Sequence, residues 1–170
     1  MPGISAYGAY VPRYRLGAET DGWDSTGQRS VANFDEDSVS MAVAAAIDCL
    51  NGREREEIDG LLFATTTPPY AEKQCASIIA TALDLRRDIF TADITDVWRA
   101  GTTALKSALD SVAAGAAKNV LMVASDNRQG PPKSEAERNS GDGAVAFIIS
   151  EDAVIAEQAG SYTITENMMD

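Results

Sequence analysis

The sequence predicts an α/β fold on three observations. Strand-like and helix-like stretches alternate along the chain, the central strands are unbroken apolar runs, and the helices carry a one-sided apolar stripe. Runs such as G-L-L-F-A-T and N-V-L-M-V-A-S suit parallel strands covered on both faces, whereas a half-exposed strand would alternate.

Residues 3–11 read as the first strand, closed by Pro12. Residues 17–34 hold Gly, Asp and Ser without periodicity and read as a surface loop. Asp37 or Ser38 then caps a helix whose apolar positions are Val39, Ala42, Val43, Ala46, Ile47 and Leu50, with Gly52 ending it. Residues 58–66 form a buried strand, and the turn Thr67-Pro68-Pro69-Tyr70 leads to a helix over about 72–83. A strand over 89–94 runs into an Ala- and Leu-rich helix over 100–114, with Gly115 as its C-terminal cap. Residues 119–125 are a fourth strand, followed by a polar segment over 126–142. Residues 143–150 make the next strand. Residues 154 to about 165 make one more, its antiparallel neighbour because the two are close in sequence. The order βαβαβαββ through residue 150 predicts a mostly parallel five-stranded sheet with helices on its faces, in one domain over 1–170.

Twenty-six acidic against 14 basic residues give a net charge of −12, the wrong sign for nucleic acid, which is bound by a basic face. No apolar run is long enough to span a bilayer, and the opening MPGISAYGAY lacks a basic stretch followed by an apolar one. The expectation is a cytoplasmic protein without a membrane partner. Cys49 and Cys75 are the only cysteines and there is no histidine, so neither a disulfide framework nor a metal site is expected. Both cysteines sit beside apolar positions and read as small core residues.

The stretch most laden with chemistry is residues 92–105, A-D-I-T-D-V-W-R-A-G-T-T-A-L, a strand running straight into a helix. A side chain at such a turn lies over the unpaired N–H groups and positive dipole of the helix N-terminus, where a cysteine would be activated as a thiolate. Trp98 occupies that turn. Four further motifs stand in order around it: Gly8-Ala9-Tyr10-Val11-Pro12-Arg13-Tyr14-Arg15, Asn33-Phe34-Asp35-Glu36-Asp37-Ser38, Pro69-Tyr70-Ala71 with Lys73, and Gly141-Asp142-Gly143-Ala144.

Together with Arg99-Ala100-Gly101-Thr102, these motifs resemble the N-terminal half of the thiolase superfamily, nearest to the archaeal type of 3-hydroxy-3-methylglutaryl-CoA synthase and to type III ketoacyl synthases. The resemblance runs nearly the whole length. It implies a thiolase-like half whose second half is absent from these residues, as a gene product in its own right or as a truncated piece. It also places Trp98 where the family has its catalytic cysteine and Thr66 where it has its glutamate acid/base; the family's histidine lies in the second half. A tryptophan has only a donor N–H, and a threonine hydroxyl does not titrate in the working range. The resemblance therefore implies an acyltransferase relative that acts on or binds acyl-CoA thioesters but does not catalyse Claisen condensation alone. The alternative is a non-catalytic thiolase-like subunit scaffolding a complex with a zinc-ribbon/OB-fold partner, and a third reading is a fragment with no role of its own. An isolated half would expose the face that meets its second half, so a homo-oligomer or a chain needing a partner is expected.

The candidate site residues carry competing readings. Trp98 plugs an acyl pocket, stacks on the adenine or pantetheine of CoA, or, by default, fills a cavity as buried aromatics do. Arg99 pairs with a phosphate or carboxylate, or is a solvated first-turn residue. Thr66 reads by default as a strand-end hydroxyl bonded to backbone, and Glu72 as an acidic residue in a first helical turn rather than a replacement base. Gly101 belongs to the nucleophile-helix motif. Gly141, Asp142 and Gly143 shape either an oxyanion site or a tight turn before a strand. Arg128 belongs to a loop that topology places outside a strand's C-terminal end, at one mouth with Trp98.

Overall fold

The computed structural model describes residues 1–23, 25–95 and 97–166; Asp24, Asp96 and residues 167–170, the last part of the tail considered above, lie outside the described residues. The elements in order are β1 (Gly3–Tyr10), β2 (Tyr14–Leu16), β3 (Arg29–Val31), α1 (Ser38–Cys49), β4 (Gly60–Ala64) and α2 (Cys75–Ala82). They continue as β5 (Phe90–Ile94), α3 (Ala100–Ala113), β6 (Val120–Asp126), α4 (Glu135–Asn139), β7 (Gly143–Ser150) and β8 (Ala156–Glu157).

The main sheet has six strands in the order β5-β4-β6-β7-β1-β8. Strand β4 pairs in parallel with β5 and β6, while β6–β7, β7–β1 and β1–β8 are antiparallel. The predicted mostly parallel five-stranded sheet is therefore corrected to a mixed six-stranded one. Parallel neighbours need a helical crossover over a sheet face, and the connection from β6 to β7 carries only the short α4, so β7 returns beside β6 in the opposite sense. Proximity in sequence also misplaced the last strand: β1 lies between β7 and β8, and the strand expected over 154–165 shrinks to Ala156–Glu157. Two smaller corrections concern loops. Residues 29–31 within the expected 17–34 loop form β3, which pairs with β2 just before that loop, and the polar 126–142 segment contains α4.

Helix α1 starts as predicted. Asp37 accepts the Ser40 N–H at 2.7 Å and Ser40 Oγ accepts the Asp37 N–H at 2.7 Å, a reciprocal capping box. Its Ala42, Ala45 and Ala46 are fully buried, and these small side chains let the helix lie close on β1. At the contact, a Cβ on Gly8 would run into the backbone of Ala45 and Cys49, so glycine is the residue that fits. Helix α2 begins at Cys75 rather than at 72, which leaves Glu72 in an exposed loop before the helix. Its first N–H groups are taken by a strand residue: Asp93 of β5 accepts from Cys75 N at 2.6 Å and Ala76 N at 2.7 Å.

Helices α1 and α2 cover one face of the sheet through a core of Met41, Ile79, Phe63 and Leu121. Helix α3 covers the other through Ala104, Ala108, Leu62, Val120 and Met122. The α3 side remains partly open over β1 and β7, where Tyr7 faces Phe147 and Ala9 faces Val145 across the ladder. Tyr7 is 68% and Val145 39% exposed. Among the described residues no helix is long and apolar enough to cross a membrane.

Candidate functional site

The parallel strands β5, β4 and β6 all end at one edge of the sheet, with β4 in the middle. Chain leaving β4 supplies Thr65, Thr66 and Thr67, chain leaving β6 supplies Asp126, Asn127 and Arg128, and chain leaving β5 passes through Trp98 into α3. Asp126 organises this edge. Its Oδ1 accepts the Thr66 N–H at 2.6 Å, the hydroxyls of Thr65 and Thr66 at 3.0 Å each, and that of Thr67 at 3.2 Å. Asn127 N donates to Thr67 Oγ1 at 3.0 Å, and Ser38 Oγ donates to the Thr67 carbonyl at 2.8 Å, which draws the start of α1 to the same place. Thr66 is thus a strand-end hydroxyl, but its partner is a carboxylate rather than backbone. An oxygen receiving this many donors fastens the loop after β4 to the end of β6.

Trp98 stands on the lip of this edge and is 82% exposed, which overturns the reading of a cavity-filling aromatic. A surface indole results because the described neighbours at the turn, Val97 and Arg99, are exposed as well, and the helix buries its first side chain only at Ala100. The guanidinium of Arg128 lies over the indole, 4.0 Å from the ring centroid, in the geometry of a cation–π contact. Trp98 and the loop after β6 meet through this contact.

The loop over 127–142 is held from below by β3. Arg29, with a side chain only 6% exposed, donates to the carbonyls of Glu137 at 2.9 Å and Arg128 at 3.3 Å, and its Nη2 lies 3.7 Å from Asp142 Oδ1. Asp142 accepts the Ala32 N–H at 2.8 Å, while its own N–H donates to the Ser30 carbonyl at 3.1 Å and its carbonyl accepts from Ser30 Oγ at 2.6 Å. That N–H is committed to Ser30, and residues 141 and 142 lead into β7 without a turn or bend, pinned against Ser30. Gly141 fits against Ser30, where a Cβ would come within 2.8 Å of its hydroxyl, and Gly143 pairs with Asp126 across the ladder.

Arg99 is the N-cap residue of α3, makes no side-chain capping bond, and faces a different space. It lines a groove of about 730 Å³ between α3 and the tail, with Thr102, Lys106, Leu109, Gln158 and Tyr162. Gly101 lies within α3, and a Cβ there would meet only the Ala124 methyl at 3.7 Å, an ordinary contact, so packing does not require glycine. Thr66, Trp98 and Arg128 therefore gather at the strand ends, Arg99 opens onto the α3 groove, and Gly141 and Asp142 fix the end of the loop to β3. Cys49 and Cys75 are buried free thiols away from the turn. Burial pushes Cys49 up to about 11 and raises Cys75 as well, where the Asp93 carboxylate adds to the effect.

Three residues that organise the site were not singled out from the sequence. Asp126 has a signal, since it closes a buried strand at the end where ligands gather in α/β sheets. Asp93 and Arg29 have none, because their partners are distant in the chain.

No protein-family model matches the chain. It is 35% identical over 182 aligned residues to the hydroxymethylglutaryl-CoA synthase of Methanopyrus kandleri, covering 99% of this chain and 52% of that protein. Against the hydroxymethylglutaryl-CoA synthase of Thermococcus sibiricus it is 36% identical over 179 residues, 99% of this chain and 51% of that protein. A solved structure of MvaS in complex with 3-hydroxy-3-methylglutaryl coenzyme A has the same fold, with a TM-score of 0.81 at 27% identity over 89% of this chain and 40% of that one. The chain spans about half the length of the curated relatives it matches. With a partly parallel sheet, its helices on both faces and this degree of identity along nearly its whole length, the chain is a thiolase-like protein homologous to the N-terminal half of hydroxymethylglutaryl-CoA synthase.

Proposed function

We propose that residues 1–170 act as the N-terminal domain of a hydroxymethylglutaryl-CoA synthase-like acyltransferase, binding an acyl-CoA thioester at the Trp98 edge without catalysing Claisen condensation by themselves. The observation that carries this reading is Trp98 itself: an exposed indole, backed by the Arg128 guanidinium, at the strand–helix turn where the family resemblance places the nucleophilic cysteine. An indole has no free lone pair to attack a thioester carbonyl, and the Thr66 hydroxyl is held by Asp126. The same groups suit binding. The open face of Trp98 offers a stacking surface for adenine or an apolar arm, and Arg128 offers charge to a phosphate or carboxylate. Arg99, opening on the α3 groove, offers a second cation.

The open α3 side of the sheet supports a covering partner, with Tyr7 and Val145 exposed beside α3. A second copy of the chain or a C-terminal half fits that face on this reading. The alternative, a non-catalytic subunit scaffolding a complex with a zinc-ribbon/OB-fold protein, draws on the same exposed residues.

Calorimetric titration with acetyl-CoA and with free CoA tests the reading. The expected result is saturable binding that weakens in Arg99→Ala and Arg128→Ala, with no acetyl group retained on the protein. In Trp98→Cys the new thiolate is expected to attack the acetyl-CoA carbonyl and release CoA as its thiol, leaving an acetylated protein by mass. Absence of binding in both proteins would overturn the acyl-CoA reading in favour of the scaffold.

A further inference from the structure

We infer that Arg29 is the residue that positions the Arg128–Trp98 stack, acting from beneath the loop through the main chain of Arg128. The inference rests on the reading of Trp98 and Arg128 as one site, and it names what holds that site together. Three observations carry it.

The first is how Arg29 uses its donors. Nη1 goes to the Glu137 carbonyl and Nη2 to the Arg128 carbonyl, so one planar guanidinium clamps both limbs of the loop between β6 and β7. The Arg128 side chain, whose own carbonyl is held in this way, reaches 4.0 Å from the indole centroid. The second is how firmly the clamp itself is seated. Arg29 lies in β3, its side chain is 6% exposed, and its ion-pair partner Asp142 is 4% exposed and bonded to Ala32 N. The loop is folded tightly onto the clamp: a Cβ on Gly130 would collide with the backbone of α4 at Ala136 and Glu137, so the two limbs touch without side chains between them.

The third is cost. Arg29 Nε and Asp142 Oδ1 are buried with no hydrogen-bond partner among the described residues, and the ion pair spans 3.7 Å from Arg29 Nη2 to Asp142 Oδ1. A buried ion pair with unfilled polar atoms and a long contact contributes little to stability, because desolvation offsets its attraction. Its definite product is geometric, a fixed height for residues 128 and 137 above β3.

The experiment reads Trp98 without any ligand, so its failure is distinct from a failure of acyl-CoA binding. Trp23 and Trp98 are the only tryptophans, and Trp23→Phe makes emission specific for Trp98. In that background Arg128→Met removes the cation from one face of the indole, and acrylamide quenching is expected to rise. Arg29→Lys keeps the charge but loses the fork that spans two carbonyls. It is expected to raise quenching to the same level, and the double variant no further. Arg53→Met is the control: Arg53 donates to the Ser5 carbonyl at 2.7 Å far from the loop, so it is expected to lower thermal stability while leaving quenching unchanged. If Arg29→Lys does not fold by circular dichroism, Asp142→Asn tests the same clamp through its partner and is expected to give the same rise. Quenching unchanged in folded Arg29→Lys or Asp142→Asn, while Arg128→Met raises it, would overturn the assignment. So would an equal rise in Arg53→Met.

Discussion

Asp126 Oδ1 accepts both the backbone N–H of Thr66, at 2.6 Å, and its hydroxyl, at 3.0 Å, so the residue at the resemblance's acid/base position is bound at two points to one carboxylate oxygen. Hydrogen bonds to an ionised acceptor are the stronger class, and removing the acceptor leaves several half-buried donors unpaired. Asp126→Ala is expected to lower stability by about 2–3 kcal/mol, and Asp126→Asn, which keeps an acceptor oxygen, by about 1 kcal/mol. Urea midpoints at an unchanged slope would measure this. A midpoint unmoved by Asp126→Ala would mean that water replaces the carboxylate without loss.

Asp93 caps α2 from the neighbouring strand, taking the N–H groups of Cys75 and Ala76. Asp93→Ala is expected to cost about 1–2 kcal/mol, as lost N-terminal caps do, and to fray the helix at its first turn. Fraying would show as faster reaction of Cys75 with a thiol reagent in a Cys49→Ala background. An unchanged labelling rate would show that Gln74, paired with Thr91 by two hydrogen bonds of 2.9 Å, holds the helix start without Asp93.

Trp98→Ala separates ligand binding from stability. With the indole 82% exposed, the substitution is expected to change unfolding free energy by no more than about 0.5 kcal/mol while weakening acyl-CoA binding at least as much as Arg128→Ala. A large loss of stability would return Trp98 to a packing role.

Alkaline pH should find the weak point of the core at Cys49. Burial raises its thiol from 9.0 to about 11 in the folded chain. Below pH 9 both folded and unfolded thiols are protonated and the contribution is complete. As pH rises from 9 towards 11 the unfolded chain ionises first, and stability falls by roughly 1.4 kcal/mol per pH unit. Cys75, raised in the same direction, adds to the fall. Urea midpoints compared between about pH 8 and pH 10.5 are expected to drop more in the wild-type chain than in Cys49→Ala. Equal drops in the two proteins would assign the alkaline loss elsewhere.

Features that reach only a few residues along the chain were legible in the sequence. The Asp37 cap of α1 depends on a spacing of three residues and appears where it was expected; of the apolar stripe, Val39, Ala42, Ala46 and Leu50 are buried, whereas Ile47 is exposed and Met41, Ala45 and Cys49 fill the buried face instead. The apolar runs of β4 and β6 mark themselves as central strands by having no polar side to show. Trp98 could be placed at a strand–helix turn because that junction is local. The resemblance to hydroxymethylglutaryl-CoA synthase rested on the same kind of short, ordered motif.

The tertiary structure decided what depends on which strands become neighbours. Insertion of β1 between β7 and β8, the antiparallel return of β7, and the loss of most of the expected last strand all follow from sheet order, which no local pattern records. Site contacts are of that kind too. Asp126 meets Thr66 across 60 positions, Asp142 meets Ala32 across 110, and Arg29 reaches Arg128 across 99. Side-chain periodicity reports which face of an element is buried. What that face, or the end of that strand, will meet is set by the packing of the whole sheet, and so the chain alone located Trp98 while only the folded molecule placed Arg128 above it.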